Sequence, residues 1–266
     1  SYSHYKTNYL STQDDGAAGS SGNVFALTTV APIYPLYIRD EKGNIMYNST
    51  TGLKSYDYGD GLINGVLRPY IQQANPLCSN QLDTNESEGN SVNAIGFAEV
   101  RFLKDFKFTS TNSVSSEETR YTTTTNPWFG QYASQNGAIT VEHDRTWSYN
   151  YQQLLTWHHQ FDLHEVDAML GHEYYRRRYY VLYGNKTNMY TFPSNDMASA
   201  VNTGSTNSYR NDYNTEGWFG RAQYNYDQKY FASMSYRRDA SSRFAPENRW
   251  GNFWSFGGAW LISKEK

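Results

Sequence analysis

The side chains best equipped for chemistry gather between residues 158 and 178 and again between 237 and 243. His158, His159, His164 and His172, together with Glu173, supply the imidazole and carboxylate ligands that hold zinc. Glu165, Asp167 and Glu173 are a carboxylate set of the kind that exchanges protons in catalysis. Gly171–Tyr180 reads GHEYYRRRYY, and its Arg176–Arg178 suit phosphate, on a lipid headgroup or on nucleic acid. Arg237, Asp239 and Arg243 in the RRDASSRF block can pair with one another or with a ligand. In NPWFGQY, Trp128, Phe129 and Tyr132 offer flat rings for stacking on a sugar, or apolar anchors for the loop itself. Asn48–Thr50 matches a glycosylation sequon by pattern alone.

Whether any of these groups act together depends on the elements that carry them. From Thr146 to Phe161 the odd positions include Trp147, Tyr149, Tyr151, Leu155, Trp157 and Phe161. The even positions are polar apart from Leu154. That period of two is a strand with one apolar and one wet face. His158 and His159 then point to opposite faces, and His164 and His172 lie more than about 20 Å apart at strand rise. No metal site is expected. A wet face also accounts for Glu165, Asp167 and Glu173 without catalysis. No nucleophile motif, phosphate loop or zinc signature occurs, so neither an enzyme nor a cofactor is expected. Cys78 is the single cysteine, which excludes an intrachain disulfide, and a net charge of −3 is too small to imply nucleic acid.

The same alternation recurs along the chain. Val166, Ala168 and Leu170 share a face opposite Glu165, Asp167 and Glu173. Trp218 to Tyr226, Tyr230 to Tyr236, Val92 to Phe102 and Trp254 to Trp260 repeat it, whereas the strand from Phe106 alternates poorly and is placed by its neighbour. Connections alternate in length. Leu103–Asp105, Asp162–Leu163 and Asp227–Lys229 are short; about 118–145 and 184–215 are long, and 239–249 is intermediate. Tight turns on one side and long loops on the other are the build of an outer-membrane barrel. Phe161, Tyr226, Tyr230 and Trp260 lie near the short turns, and Tyr151, Tyr174, Trp218 and Tyr236 lie about one membrane thickness away, as two interfacial aromatic belts.

Composition agrees. The 266 residues include 25 Tyr, 13 Phe and 7 Trp with 20 Gly and only 7 Pro, a mixture that favours strands over helices. No run approaches the roughly 20 apolar residues of a membrane helix, a test that barrel strands do not face. Residues 1–90 lack sustained alternation and carry turn signals at Asp14–Gly16, Lys42–Gly43 and Gly59–Gly61. They read as a long extracellular loop region, with the end of a preceding strand near 1–10; residues 91–266 read as about seven antiparallel strands. A soluble or surface-attached glycan-binding β-protein is the alternative, with Trp147, Tyr149, Leu155 and Trp157 in a sandwich core.

The stretch YNYDQKYFASMSYRRDASSRFAPENRWGNFWSFGGAWLISKE, Tyr224 to Glu265, carries a family resemblance. Its Asn225–Tyr226 strand end, Arg237–Phe244 block and Trp250–Trp260 strand resemble the SusC/RagA-like TonB-dependent outer-membrane transporters. Ala31–Asn44, Phe97–Thr111 and Ala168–Tyr174 are similar to a loop and barrel hairpins of that family. Trp254, where the family has Pro, and Gly257–Gly258 depart from it without disturbing a strand.

The resemblance implies an all-β fold: up-and-down transmembrane strands, an incomplete segment of a barrel of about 22 strands around a plug. It implies import of an oligosaccharide or peptide across the outer membrane under a SusD-type surface lipoprotein lid. Energy would come from the TonB complex through a plug that this chain lacks. No signal-peptide pattern begins at Ser1, and Lys266 falls where a periplasmic turn is due, so the chain reads as a central fragment. Outer-membrane lipids or lipopolysaccharide would bind Arg176–Arg178. The lumen would be lined by Asn150, Gln152, Arg221, Gln223 and Arg237, with Arg237, Asp239 and Arg243 forming a structural cluster at the rim.

Overall fold

A computed structural model describes residues 1–8, 32–59, 61, 67–68, 75–130 and 132–265. Asp14–Gly16, Ala31 and Lys266, singled out above, lie outside the described residues, as do residues 9–10 of the strand end read near 1–10. The chain forms one eight-stranded antiparallel sheet in strict sequence order. Its strands are β1 (Tyr2–Asn8), β2 (Thr84–Phe102), β3 (Phe106–Thr125), β4 (Ala138–Phe161), β5 (His164–Met189), β6 (Ala200–Tyr226), β7 (Tyr230–Ser241) and β8 (Trp250–Trp260). A short helix, α1 (Pro76–Leu82), precedes β2 and is capped by the Asn75 side chain, which accepts from the Cys78 N–H.

The short connections are the three read from sequence. Left-handed backbone at Leu103, Lys104, Asp162, Asp227 and Gln228 reverses the chain there within two or three residues. The long connections differ from expectation. β3 continues to Thr125 and β4 begins at Ala138; β5 continues to Met189 and β6 begins at Ala200. Most of what reads as loop is therefore paired strand. Beyond the apolar band both faces carry polar residues, so the side chains stop alternating while the backbone goes on pairing.

Register fixes the faces. Leu155 sits opposite Phe108 and Leu170, Ala168 opposite Ala222, Ala222 opposite Met234, and Met234 opposite Phe256. These residues make a continuous apolar face across six strands. Exposure is high there: Leu170 is 55 %, Met234 52 % and Phe256 71 % accessible. Among the described residues no second sheet packs on this one, so no sandwich core forms around Trp147, Tyr149, Leu155 and Trp157, and Trp147 stands exposed.

Near the short turns the aromatics of this face stack into a ladder. It runs through Phe102, Phe106, Trp157, His159, Phe161, His164, Tyr226, Tyr230 and Trp260, with successive ring centroids 4.9–6.3 Å apart. Higher up, Tyr149, Tyr151 and Tyr174 form a second cluster at 5.3–6.4 Å. An interfacial position at each level satisfies both the ring and its polar tip.

Buried apolar residues occur at the opposite end from the short turns. Tyr56, Tyr58, Cys78 and Phe129 form one cluster, with Trp128 and Leu82 packed against it. Ile139, Met189 and Ala200 form another, supported by Phe192 and Met197. Trp128 meets Phe192 edge-on at 5.2 Å and links the two. Part of the region read as loop before residue 90 is thus folded: bridges Tyr37–Tyr56, Arg39–Ile45 and Tyr47–Lys54 order it, and β2 starts at Thr84.

Candidate functional site

The face opposite the apolar one carries the candidate pathway residues, and register explains why they share it. Gln152 lies opposite Thr111 and Glu173, Asn150 opposite Ser113 and Tyr175, Gln223 opposite Asp167 and Ser233, and Arg221 opposite Met169 and Ser235. Arg237 joins them through Phe219. Asn150, Gln152 and Arg221 are exposed. A concavity of about 610 Å³ bounded by Arg101, Lys107, His158, Asp167, Arg221 and Gln223 opens here. Two others, beside Glu165, Asn225 and Ser233 and beside Glu173, Arg237 and Asp239, border it on the same side. This face is polar and hollow and lies opposite the apolar band.

Three groups on it are organised. Arg237 donates from Nε to Asp239 at 2.7 and 2.8 Å and from Nη2 to Glu173, and its guanidinium lies 5.1 Å from the Phe219 ring centre. This assembly rests on Gly217. A Cβ there would come within 2.7 Å of Asp239 Oδ1 and 2.9 Å of Arg237 Nη2, so any larger residue would push the pair off the sheet. Arg243, expected in this cluster, is placed instead over the Tyr213 ring at 5.2 Å, and among the described residues it makes no ion pair with Asp239. The reason is that β7 ends at Ser241, so Arg243 has left the strand. Glu173 supplies the second carboxylate from two strands away.

The second group is His158, Glu165 and Asp167, whose ligand atoms lie within 4.8 Å of one another. His158 Nδ1 is 2.8 Å from Asp167, and Asn225 donates to Glu165 at 2.9 Å. Spacing along one strand could not show this grouping, because it forms across the β4–β5 turn. His159 does face the other way, with Nδ1 2.8 Å from Asp105. His172 contacts Gln153 and Glu216 at 3.3 Å, on the apolar side. Arg221 donates to Gln223, so those two candidates form the third group, a coupled pair.

The ring set at 128–132 is divided. Phe129 is 8 % exposed, 5.3 Å from Tyr56 and 6.5 Å from Tyr58, so it anchors the loop and has no free face for a sugar. Trp128 and Tyr132 are half-buried. The loop is held by two amides invisible to motif reading. Asn126 Oδ1 accepts from the N–H groups of Trp128 and Phe129 at 3.1 and 2.8 Å, while Asp83 accepts from Asn126. Asn75 donates to the carbonyls of Leu36 and Asp57 at 3.1 and 3.0 Å. Burial above all pushes the Cys78 thiol up to about 12; a hydrogen bond with Tyr58 works against the shift and the Asp83 charge adds to it.

No family model matches the chain. Among curated proteins it is similar to TonB-dependent receptor SusC of Bacteroides thetaiotaomicron, 29 % identical over 226 residues that make up 82 % of this chain and 21 % of that protein. It is also similar to two TonB-dependent receptors of Formosa agariphila. P3 is 25 % identical over 72 % of this chain and 19 % of its own length. P26 is 23 % identical over 98 % of this chain and 25 % of its own. The chain therefore spans about a fifth to a quarter of the length of these relatives. Among solved structures, the RagAB peptide transporter superposes with a TM-score of 0.67 at 22 % identity, over 80 % of this chain and 24 % of that one. The "open-open" state of the RagAB peptide importer gives 0.64 at 21 %, over 84 % of this chain and 23 % of that one.

Proposed function

With a chain that resembles SusC/RagA-like TonB-dependent receptors over most of its length as the premise, we propose that it forms part of the barrel wall of an energy-coupled outer-membrane importer. The observation that carries this reading is the two-sided sheet. One face is an exposed apolar band between two aromatic levels, and the other is polar and hollow. In water an exposed apolar face of this extent would drive association; in a bilayer it is the solvated side.

The cargo of the whole receptor is a nutrient oligosaccharide or peptide. Amide and guanidinium groups at Asn150, Gln152, Arg221, Gln223 and Arg237 suit both, since each offers hydroxyl, carbonyl and amide groups to bond. They make weak, distributed contacts, as a conduit requires, and no enclosed binding pocket. Trp128 and Tyr132, beside the outer loops, are where a ring could meet the cargo before entry. A SusD-type lipoprotein over those loops and a TonB-driven plug within the barrel complete the proposal. The chain's own residues supply part of the wall.

The test is growth of the source bacterium with the gene carrying this chain deleted, on individual oligosaccharides and on peptides as sole nutrient. Loss of growth on one class, reproduced by dissipating the proton gradient, is expected and names the cargo. Growth unchanged on every substrate, with the receptor demonstrably expressed in the parent, would overturn the reading.

A further inference from the structure

Arginines concentrate where the apolar face ends. Register places Arg176 opposite Tyr149 and Asn214, Arg178 opposite Trp147 and Asp212, and Tyr180 opposite Arg145 and Arg210. Arg145, Arg176, Arg178 and Arg210 therefore share the apolar face of β4–β6, directly above the belt of Tyr149, Tyr151 and Tyr174. Arg176 is the twelfth residue beyond His164 at the start of β5 (176 − 164). A tilted strand crosses the apolar band in about 9–11 residues, so these guanidinium groups begin just past its outer edge.

The cations outnumber the carboxylates beside them. Arg176, Arg178 and Arg210 converge on one carboxylate, Asp212, at 3.4, 3.6 and 3.4 Å. Arg145 lies over the Tyr180 ring at 5.9 Å, with Glu118 opposite it on β3. Four cations thus stand beside two carboxylates, three of them sharing Asp212. The side chains of Arg178 and Arg210 are 51 % and 65 % exposed. Asp212 holds three forks at a fixed spacing without cancelling them, which is how a surface is prepared for several phosphate oxygens at once. Arg177 sits on the opposite face, 5.4 Å from the Tyr179 ring, and plays no part.

We propose that Arg145, Arg176, Arg178 and Arg210 form a docking surface for the phosphate groups of an outer-leaflet glycolipid. The occupant follows from charge complementarity and from height: immediately outside an apolar band flanked by tyrosines, the anions present in a bilayer are lipid phosphates. The proposal rests on the membrane reading of the apolar face given above.

The experiment uses the intact receptor that carries this chain, reconstituted in phosphatidylcholine nanodiscs doped with bis-phosphorylated or with dephosphorylated lipid A. Lipid co-retained after detergent extraction is counted by mass spectrometry. Enrichment of the phosphorylated form, weakened by salt, is expected. Replacing all four arginines with Gln should lower it about tenfold or more, because charge-assisted hydrogen bonds are lost; Arg177→Gln should leave it unchanged. Should the fourfold variant fail to give a heat-modifiable barrel, R178Q/R210Q removes the two most exposed groups and should give a smaller drop. Equal retention of both lipids, or retention indifferent to the substitutions, would overturn the proposal. A receptor that inserts and imports yet shows no phosphate preference defeats this inference alone; one that never inserts defeats the membrane reading beneath it.

Discussion

The wall and the crown of this molecule place the same residue types oppositely. In the wall, Trp254 and Phe256 are each 71 % exposed, and Phe102, beside a short turn, is 41 % exposed. In the crown, beyond the aromatic belts, Ile139 and Cys78 are fully buried, and Tyr56, Tyr58 and Phe129 are nearly so. Backbone pairing is continuous between the two, since β4, β5 and β6 run through both. The difference lies in the solvent. The crown must hide its apolar groups from water and builds small cores with buried amide clamps, Asn75 and Asn126. The wall leaves its apolar groups exposed on one face, which the proposed membrane reading covers with lipid.

Removing a ring from the crown should have the largest effect. Phe129→Ala deletes a buried side chain between Tyr56 and Tyr58 and should cost about 3–5 kcal/mol locally. Hydrogen exchange in the full receptor should rise around 32–59 and 126–137 while β7 and β8 keep their protection. Equal loosening of the wall would show that the two regions are not separable.

Next comes a pair of neighbours that differ only in face. Ala222→Arg puts a charge into the apolar band and should cost roughly 2–4 kcal/mol, whereas Gln223→Arg, one residue on and facing inward, should cost well under half of that. The urea midpoint of the heat-modifiable form measures both, and equal losses would contradict the assignment of faces.

The smallest effect is on titration. An exposed thiol ionises near 9, but burial holds Cys78 protonated to about 12. A raised folded-state value means that its contribution is fully present below pH 9 and fades as pH climbs from 9 toward 12. Alkylation of native Cys78 at pH 8 should accordingly be slow and should accelerate when the crown is unfolded by urea. Rapid labelling of the native receptor would argue against a packed crown.

Much of the wall is readable in the sequence because one apolar and one polar face impose period two on it. Trp147 to Phe161 and Tyr230 to Tyr236 carry the pattern in their side chains, and the turns at Asp162 and Asp227 need residues that accept left-handed backbone. Beyond the apolar band that constraint lapses. Glu117 to Thr125 and Ala200 to Thr215 look like loop because Ser, Thr and Asn occupy both faces, yet the first pairs residue by residue and the second pairs with β5 through one register shift between Gly184 and Lys186. The rim cluster was half visible: Arg237 and Asp239 stand two apart on one strand face, whereas Glu173 reaches them only through register, and Gly217 makes the room. His158 with Glu165 and Asp167 was hidden for the same reason, and so was the separation of Arg177 from Arg176 and Arg178, which an RRR run disguises.

The central claim is that even-numbered β6 residues face lipid and odd-numbered ones face the interior. It can be tested by spin labels placed singly from Trp218 to Asn225 in the full receptor on a Cys78→Ser background. The account predicts oxygen accessibility that peaks at Gly220, Ala222 and Tyr224 and dips at Phe219, Arg221 and Gln223. A flat profile, or one of opposite phase, would contradict it.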